Sequence, residues 1–403
     1  MEIIVLIATV FAKKRDLVNA TAVCQRWRTI LLSSPRLWCS ADGCSSEIQA
    51  YMKRSGSMPI VVNLSSPELA KFVAPHTSRL VSLALRIGDS RSIFSQTAEH
   101  LRHPIPTLHT LRISNSASGL HTVEFASDVC DAFFTHSKRL ELDGVFLFRG
   151  PQVVPDSFEP FPHVTEVVMH VEKGKVIKIP DLLDTLERLP VLERVSISLG
   201  SNWRPSSPQT ITLPRVQEMV LLALERGGIP PFIPPIFGFI KFPNLALLRL
   251  QGISWLSGVT HPIFPTEPFG EYLPTLADLP ELQVSINTSI EFTFRNPQAV
   301  FSCVATRPFQ IHHIFTPIWG TLPLHTVRRL VVDVRDSRED VDDRWFAGLL
   351  QDLVGLEYLE FSGQCPAVVR RLCQEVVEEE LHVPIETLAV QAIEEYLARG
   401  AQT

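Results

Sequence analysis

Residues able to do chemistry are few in this chain, and their spacing is informative mainly for what it fails to build. His312-His313 offers two imidazoles, but it sits in an apolar, strand-like context and reads as a satisfied or exposed pair rather than a metal site. Asp336 to Asp343 is rich in carboxylates, yet it lacks the glycine at position 6 and the closing Glu of a calcium-binding EF-hand loop. It reads as a solvated loop entering a helix over Asp343 to Gln351. The seven cysteines (24, 39, 44, 130, 303, 365 and 373) are odd in number, scattered and without a C-x-x-C pair, which argues against a disulfide framework and a zinc site. There is no G-x-S-x-G, H-E-x-x-H, G-x-G-x-x-G or P-loop. The expectation is a protein that is not an enzyme and carries no cofactor or metal.

The composition agrees with a cytoplasmic or nuclear protein. At 403 residues and 45% hydrophobic the chain can bury a large core, and its length suggests two or three domains. A net charge of -6 offers no general attraction for nucleic acid. The charge is uneven: residues 1–40 carry six Lys/Arg against two Asp/Glu, a local +4 that leaves -10 for the rest. Met1 to Ala12 is apolar but far short of the ~20 residues of a membrane-spanning helix. Glu2 stands where a signal sequence would be basic, and Lys13-Lys14-Arg15 follows instead of a small-residue cleavage site. The expectation is a soluble helix, no membrane contact, and a cytoplasmic or nuclear protein.

Three short helical segments open the chain. Ile3, Ile4, Leu6, Ile7, Val10 and Phe11 form the first; Asp16 opens the second, with Leu17, Val18, Ala20 and Val23 at helical spacing. In the third, Cys24, Trp27, Ile30 and Leu31 share a stripe, and Ser34-Pro35 stops it. About forty residues bury little surface alone, so such a unit needs a partner or the rest of its chain. The stretch V-C-Q-R-W-R-T-I-L-L-S-S-P-R-L-W from Val23 to Trp38 resembles the core of the F-box-like domains of large fungal families. The matching residues are Leu17, Val23, Cys24, Trp27, Pro35, Leu37 and Trp38. The family pattern opens with a Leu-Pro pair before its first helix, whereas Met1-Glu2-Ile3 already lies inside that helix, as in a truncated copy. The resemblance implies binding to the Skp-type adaptor of a cullin-type ubiquitin ligase through Ile3, Ile4, Leu17, Val23, Cys24 and Trp27.

Residues 41–75 read as a linker: a helix around Ile48, Tyr51 and Met52, a stop at Arg54-Ser55-Gly56-Ser57-Met58-Pro59, then a strand from Ile60 to Leu64. This R-S-G-S-x-P step resembles the segment that fungal F-box proteins place before their repeats.

From residue 80 the chain repeats an apolar leader, two variable residues, an apolar residue, a variable one and another apolar one. The copies are Leu80-Leu83-Leu85, Leu108-Leu111-Ile113, Val164-Val167-Met169, Leu192-Val195-Ile197, Val216-Met219-Leu221, Leu245-Leu248-Leu250, Leu279-Leu282-Val284, Val327-Leu330-Val332 and Leu356-Leu359-Phe361. A weaker copy, Leu140-Leu142, has Ser137 as its leader. Leader spacings of 28, 29, 27, 28, 24, 29, 34, 48 and 29 fall mostly within the ~20 to 29 residues of leucine-rich repeats. Alternation sends the last two apolar residues inward, the leader fills the bend before them, and the strands stack in a parallel sheet. Proline precedes several leaders, as in Phe161-Pro162-His163-Val164 and Phe242-Pro243-Asn244-Leu245, and Ile179 to Leu189 reads as a return helix. The fold class expected is therefore α/β: an N-terminal helical F-box-like unit (1–40), the linker (41–75), an irregular leucine-rich-repeat solenoid with a parallel sheet (76–365) and a helical cap (366–403). Asn287 alone fills the position where regular repeats carry Asn or Cys three residues past the last strand leucine, so irregular curvature is expected.

Two intervals interrupt the array, residues 254–274 and 287–323, both rich in Phe and Trp. The second could hold an extra strand pair, Ser289 to Phe294 and Phe309 to Phe315. Its phenylalanines are more at home packing the insertion than binding a target. Pro366 to Gly400 reads as two amphipathic helices. The function expected is a substrate-recognition adaptor whose repeats hold an unidentified protein target. The alternative is a non-catalytic scaffold or degenerate F-box copy outside any ligase.

Overall fold

The computed structural model describes residues 14–87, 96–97, 99–101, 105–115, 121–124, 136–148, 161–170, 176–199, 202–204, 210–223, 236–251, 272–286, 290–305, 322–334, 349–350 and 352–363. Ile3, Ile4, His312-His313, Asp336 to Asp343, the proposed strand over 309–315 and the C-terminal helices lie outside them. The chain divides into two compact units, Met1–Glu172 with Asp184–Leu192, and Lys173–Leu183 with Glu193–Thr403. Each is α/β and rests on a mostly parallel sheet.

The first unit begins with α1 (Lys14–Val23) and α2 (Gln25–Leu32), followed by a 3-10 turn over Pro35–Trp38. Strand β1 (Ser40–Ala41), helix α3 (Ser45–Arg54) and strand β2 (Ile60–Leu64) come next, then the short α4 (Ala70–Val73). The stop after α3 has a physical cause: Gly56 adopts φ +58, a left-handed conformation open to glycine. Arg79 then holds the turn from outside. Its guanidinium donates to the carbonyls of Met52, Gly56 and Met58 and to the Ser55 hydroxyl, satisfying helix-end acceptors that have no partner in the helix.

Strands β3 (Leu80–Ile87), β4 (Thr110–Asn115), β6 (Arg139–Asp143) and β8 (Glu166–His170) continue in parallel from β2. A second parallel pair, β5 (His121–Glu124) with β7 (Val145–Phe148), follows the strands β4 and β6. In the second unit β10 (Arg194–Leu199), β13 (Glu218–Ala223) and β15 (Leu247–Gln251) pair in parallel. Two smaller parallel pairs are β9 (Val176–Lys178) with β11 (Asn202–Arg204), and β12 (Ile211–Thr212) with β14 (Ile240–Lys241). Strand β16 (Glu281–Ile286), the hairpin β17 (Ile290–Arg295) and β18 (Val300–Ala305), then β19 (Arg329–Val334) and β20 (Tyr358–Gly363) complete it.

The repeat read from the sequence is the register of these sheets. Leu83, Leu111, Leu140 and Val167 are direct partners, as are Leu85, Ile113, Leu142 and Met169. In the second unit the rows run Val195, Met219, Leu248, Phe301, Phe294, Leu282, Leu330, Leu359 and Ile197, Leu221, Leu250, Cys303, Phe292, Val284, Val332, Phe361. Every leader named above is buried, and so is Ser137. Alternation at two residues per period buries both rows from β3 through β19, while Leu359 on β20 is half-buried.

Three features go beyond the repeat read from the sequence. The second strand of the insertion is Val300–Ala305, and the hairpin enters the sheet as β15-β18-β17-β16 with β17 antiparallel, so the sheet is not wholly parallel. The cause is the turn at Asn296-Pro297. The Asn296 side chain accepts from the backbone N–H of Gln298 and Ala299 and donates to the carbonyls of Thr275 and Asp278 at 2.7 Å, which reverses the chain tightly. Phe292, Phe294 and Phe301 are fully buried, with the rings of Phe294 and Phe301 stacked at 5.6 Å, so they pack the insertion.

Second, α5 (Ile179–Glu187) is a complete return helix, and residues 96–97, 99–100, 349–350 and 352 are helical too, while most other return segments lie outside the described residues. Tight turns stand directly before the strands. The N–H of Leu108, Val164, Leu192, Val327 and Leu356 donates to the carbonyl three residues earlier, on Ile105, Phe161, Leu189, Leu324 and Leu353, and these five apolar residues are also buried. A buried apolar residue stands three before eight of the leaders, all but Leu80 and Ser137, and with Pro able to sit inside the turn it is a fourth apolar position in the repeat. Third, in place of an asparagine column, the polar residue just before a leader ties neighbouring repeats. Thr107 donates to the Leu80 carbonyl at 2.9 Å, Asn244 to that of Pro214 at 2.7 Å, and Thr326 accepts from Leu279 N–H at 3.1 Å.

Candidate adaptor-binding surface

The N-terminal site is built from a break between two short helices. Cys24 adopts φ -157 and ψ 167, extended backbone that ends α1 and caps α2, and its Sγ accepts from the Trp27 N–H at 3.5 Å. Arg28 reaches back to donate from Nε to the Thr21 carbonyl at 2.9 Å, placing a cation at the negative end of α1. The two helices are thereby held as a hairpin, with Val23 and Trp27 on either side of Cys24.

The inner side is anchored by Leu17, Ile30 and Leu31, all buried, and by Trp38, which is fully buried. Trp38 donates its indole N–H to the Leu31 carbonyl at 2.9 Å, meets the edge of Tyr51 at 5.1 Å, and lies under the Arg54 guanidinium at 4.5 Å. One aromatic side chain therefore joins the end of α2 to α3.

The outer side is apolar and open. Val23 is 66% exposed, Val18 50% and Trp27 36%, with Cys24, Arg26 and Arg28 exposed beside them. Of the six residues expected at an adaptor contact, Val23, Cys24 and Trp27 are exposed. Leu17 is buried and supports the hairpin from within, while Ile3 and Ile4 lie outside the described residues. The helical stripe through Cys24, Trp27, Ile30 and Leu31 is split by the fold: its first two members face out and its last two face in.

The sheets carry a second kind of surface on the side opposite the buried rows. In the first unit Arg139 pairs with Glu141 and Glu166, each at 2.8 Å, and Arg112 lies 3.6 Å from Asp143. In the second, Arg329 pairs with Glu360 at 3.0 Å and stands 5.0 Å over the Tyr358 ring. Arg249, at the centre of β15, differs from these: its Nε is buried with no hydrogen-bond partner, and nothing in its local sequence marks it.

Among the described residues no helix is long and apolar enough to cross a membrane. No protein-family model matches the chain, and no curated protein matches it in sequence.

Proposed function

We propose that the chain is the substrate-recognition adaptor of a cullin-type ubiquitin ligase. In this reading the α1–α2 hairpin binds a Skp-type adaptor and the repeats form an irregular leucine-rich-repeat solenoid that holds a protein target. The observation that supports it is the exposure of three large apolar side chains, Val18, Val23 and Trp27, on the helices that resemble an F-box. Exposed large apolar side chains, an exposed Trp above all, suit a partner contact, since aromatic anchors dominate interface energetics. Ubiquitin transfer would occur on other subunits, and this chain would act by holding a target lysine near the loaded enzyme. The protein would then work in the cytoplasm or nucleus.

The test is a pull-down of the full chain with a Skp-type adaptor, beside a Val23→Asp/Trp27→Ala variant. Both positions are exposed, so the variant should fold, and its loss of binding is the expected result. No binding by the unaltered chain would leave an interaction scaffold outside any ligase as the better reading.

A further inference from the structure

The first and the last strand end their sheets differently. Strand β1 is two residues long, and α3 packs on it, with Ala41, Ile48 and Met52 all buried. Strand β20 is six residues long, and among the described residues it pairs with β19 and with no further strand. Met219, Leu248, Phe301, Phe294, Leu282 and Leu330 each stand between two neighbours in the inner row and are buried. Leu359 has Leu330 on one side only and is half-buried. Such an end leaves core in water and offers backbone N–H and C=O groups as a template for another strand, so a repeat array needs a cap there.

The chain runs on from this end. Gln364 and Cys365 alone separate β20 from Pro366, a residue suited to the first turn of a helix. Beyond it Val369, Leu372 and Val376 recur at i, i+3 and i+7, with Gln374 and Glu378 on the other side of that period. A helix over 366–377 would be ~18 Å long at ~1.5 Å per residue, close to the ~20 Å of a six-residue strand.

We propose that residues 366–377 of this chain close that end, laying Val369, Leu372 and Val376 over Leu359 and along β20. The occupant is the chain's own segment because its tether holds it at an effective concentration of about millimolar, which a free partner would have to match. With the helix in place, the β20 edge is withheld from other chains; released, it becomes a site of self-association. The inference does not rest on the ligase reading.

The experiment is hydrogen exchange read by mass spectrometry on the full chain at two protein concentrations, beside Leu372→Asp/Val376→Asp, Leu359→Ala and Gln374→Asp. In the unaltered chain, peptides covering 366–377 and β20 should be protected, equally at both concentrations. Leu372→Asp/Val376→Asp, and Leu359→Ala from the other side of the contact, should speed exchange of both peptides by about tenfold or more while β3 and β4 keep their protection. Gln374→Asp should change neither. Exchange of 366–377 at the rate of an unfolded peptide in the unaltered chain would overturn the assignment, as would β20 protection that survives Leu372→Asp/Val376→Asp. Protection of β20 that rises with concentration would overturn it in favour of a second copy at this edge. The unaltered chain decides the matter even where a variant fails to fold.

Discussion

Trp27 and Trp38 lie in one motif and have opposite fates. Trp38 is enclosed and bonded through its indole N–H, while Trp27 sits on the first turn of α2 with its ring partly in water. The first holds the hairpin in place and the second is available to a partner. Cys303 shows how burial alone sets chemistry. It stands in an inner row between Leu250 and Phe292, and burial, reinforced by the negative charge of Glu291, pushes its thiol up to about 12 from an ordinary value of 9.0. An unfolded chain releases that proton earlier than the folded one. The contribution to stability is therefore fully present below about pH 9 and is lost as pH rises toward 12. Chemical denaturation across this window should show wild type losing up to about 1.4 kcal/mol per pH unit relative to Cys303→Val. Parallel pH profiles for the two proteins would show that the thiol does not titrate differently on folding.

At the scale of elements, backbone fit decides where the repeat is strict. Gly355 lies in the turn before β20, and a Cβ there would meet the His325 carbonyl oxygen at 2.7 Å. That carbonyl belongs to the 3-10 turn Leu324–Thr326 before β19, so the two turns approach too closely for any side chain. Gly355→Ala should therefore cost about 1–3 kcal/mol, the range for forcing atoms into a filled space. Gly238, at the end of the 3-10 turn Ile236–Gly238, has nothing within 4 Å of such a Cβ. Gly238→Ala should be close to neutral, and urea melts of the pair would reveal whether close approach, rather than glycine as such, is what matters. The strand elements were legible because each Leu-x-x-Leu-x-Leu unit carries its own alternation. The β17–β18 hairpin was half legible: Phe292 and Phe294 marked its first strand. The strand Val300–Ala305 was not read from the sequence, because the Asn296-Pro297 turn, which sets where the chain reverses, gains its hold from Thr275 and Asp278, some twenty residues earlier.

At the scale of the molecule, charge is segregated along the chain, with +4 in residues 1–40 and -10 in the remainder. If the N-terminal hairpin meets an acidic adaptor surface, its association should be steered electrostatically. The association rate with a Skp-type adaptor should then fall as sodium chloride is raised, with dissociation little changed. Surface-binding kinetics at several salt concentrations provide the check, and a salt-independent association rate would remove the steering role while leaving the apolar contact. By itself, the amino-acid sequence determined the α/β class, the inward residues of nine strands, their matching register and the break between α1 and α2, because each depends on periodicities only a few residues long. Only the tertiary structure decided that Val23 and Trp27 stay in water while Leu17 is enclosed, that Arg79 closes the end of α3, that β17 runs against its neighbours and that Arg249 lacks an acceptor. Exposure and satisfaction are properties of what a side chain meets across tens of residues of sequence, and no local pattern carries that information.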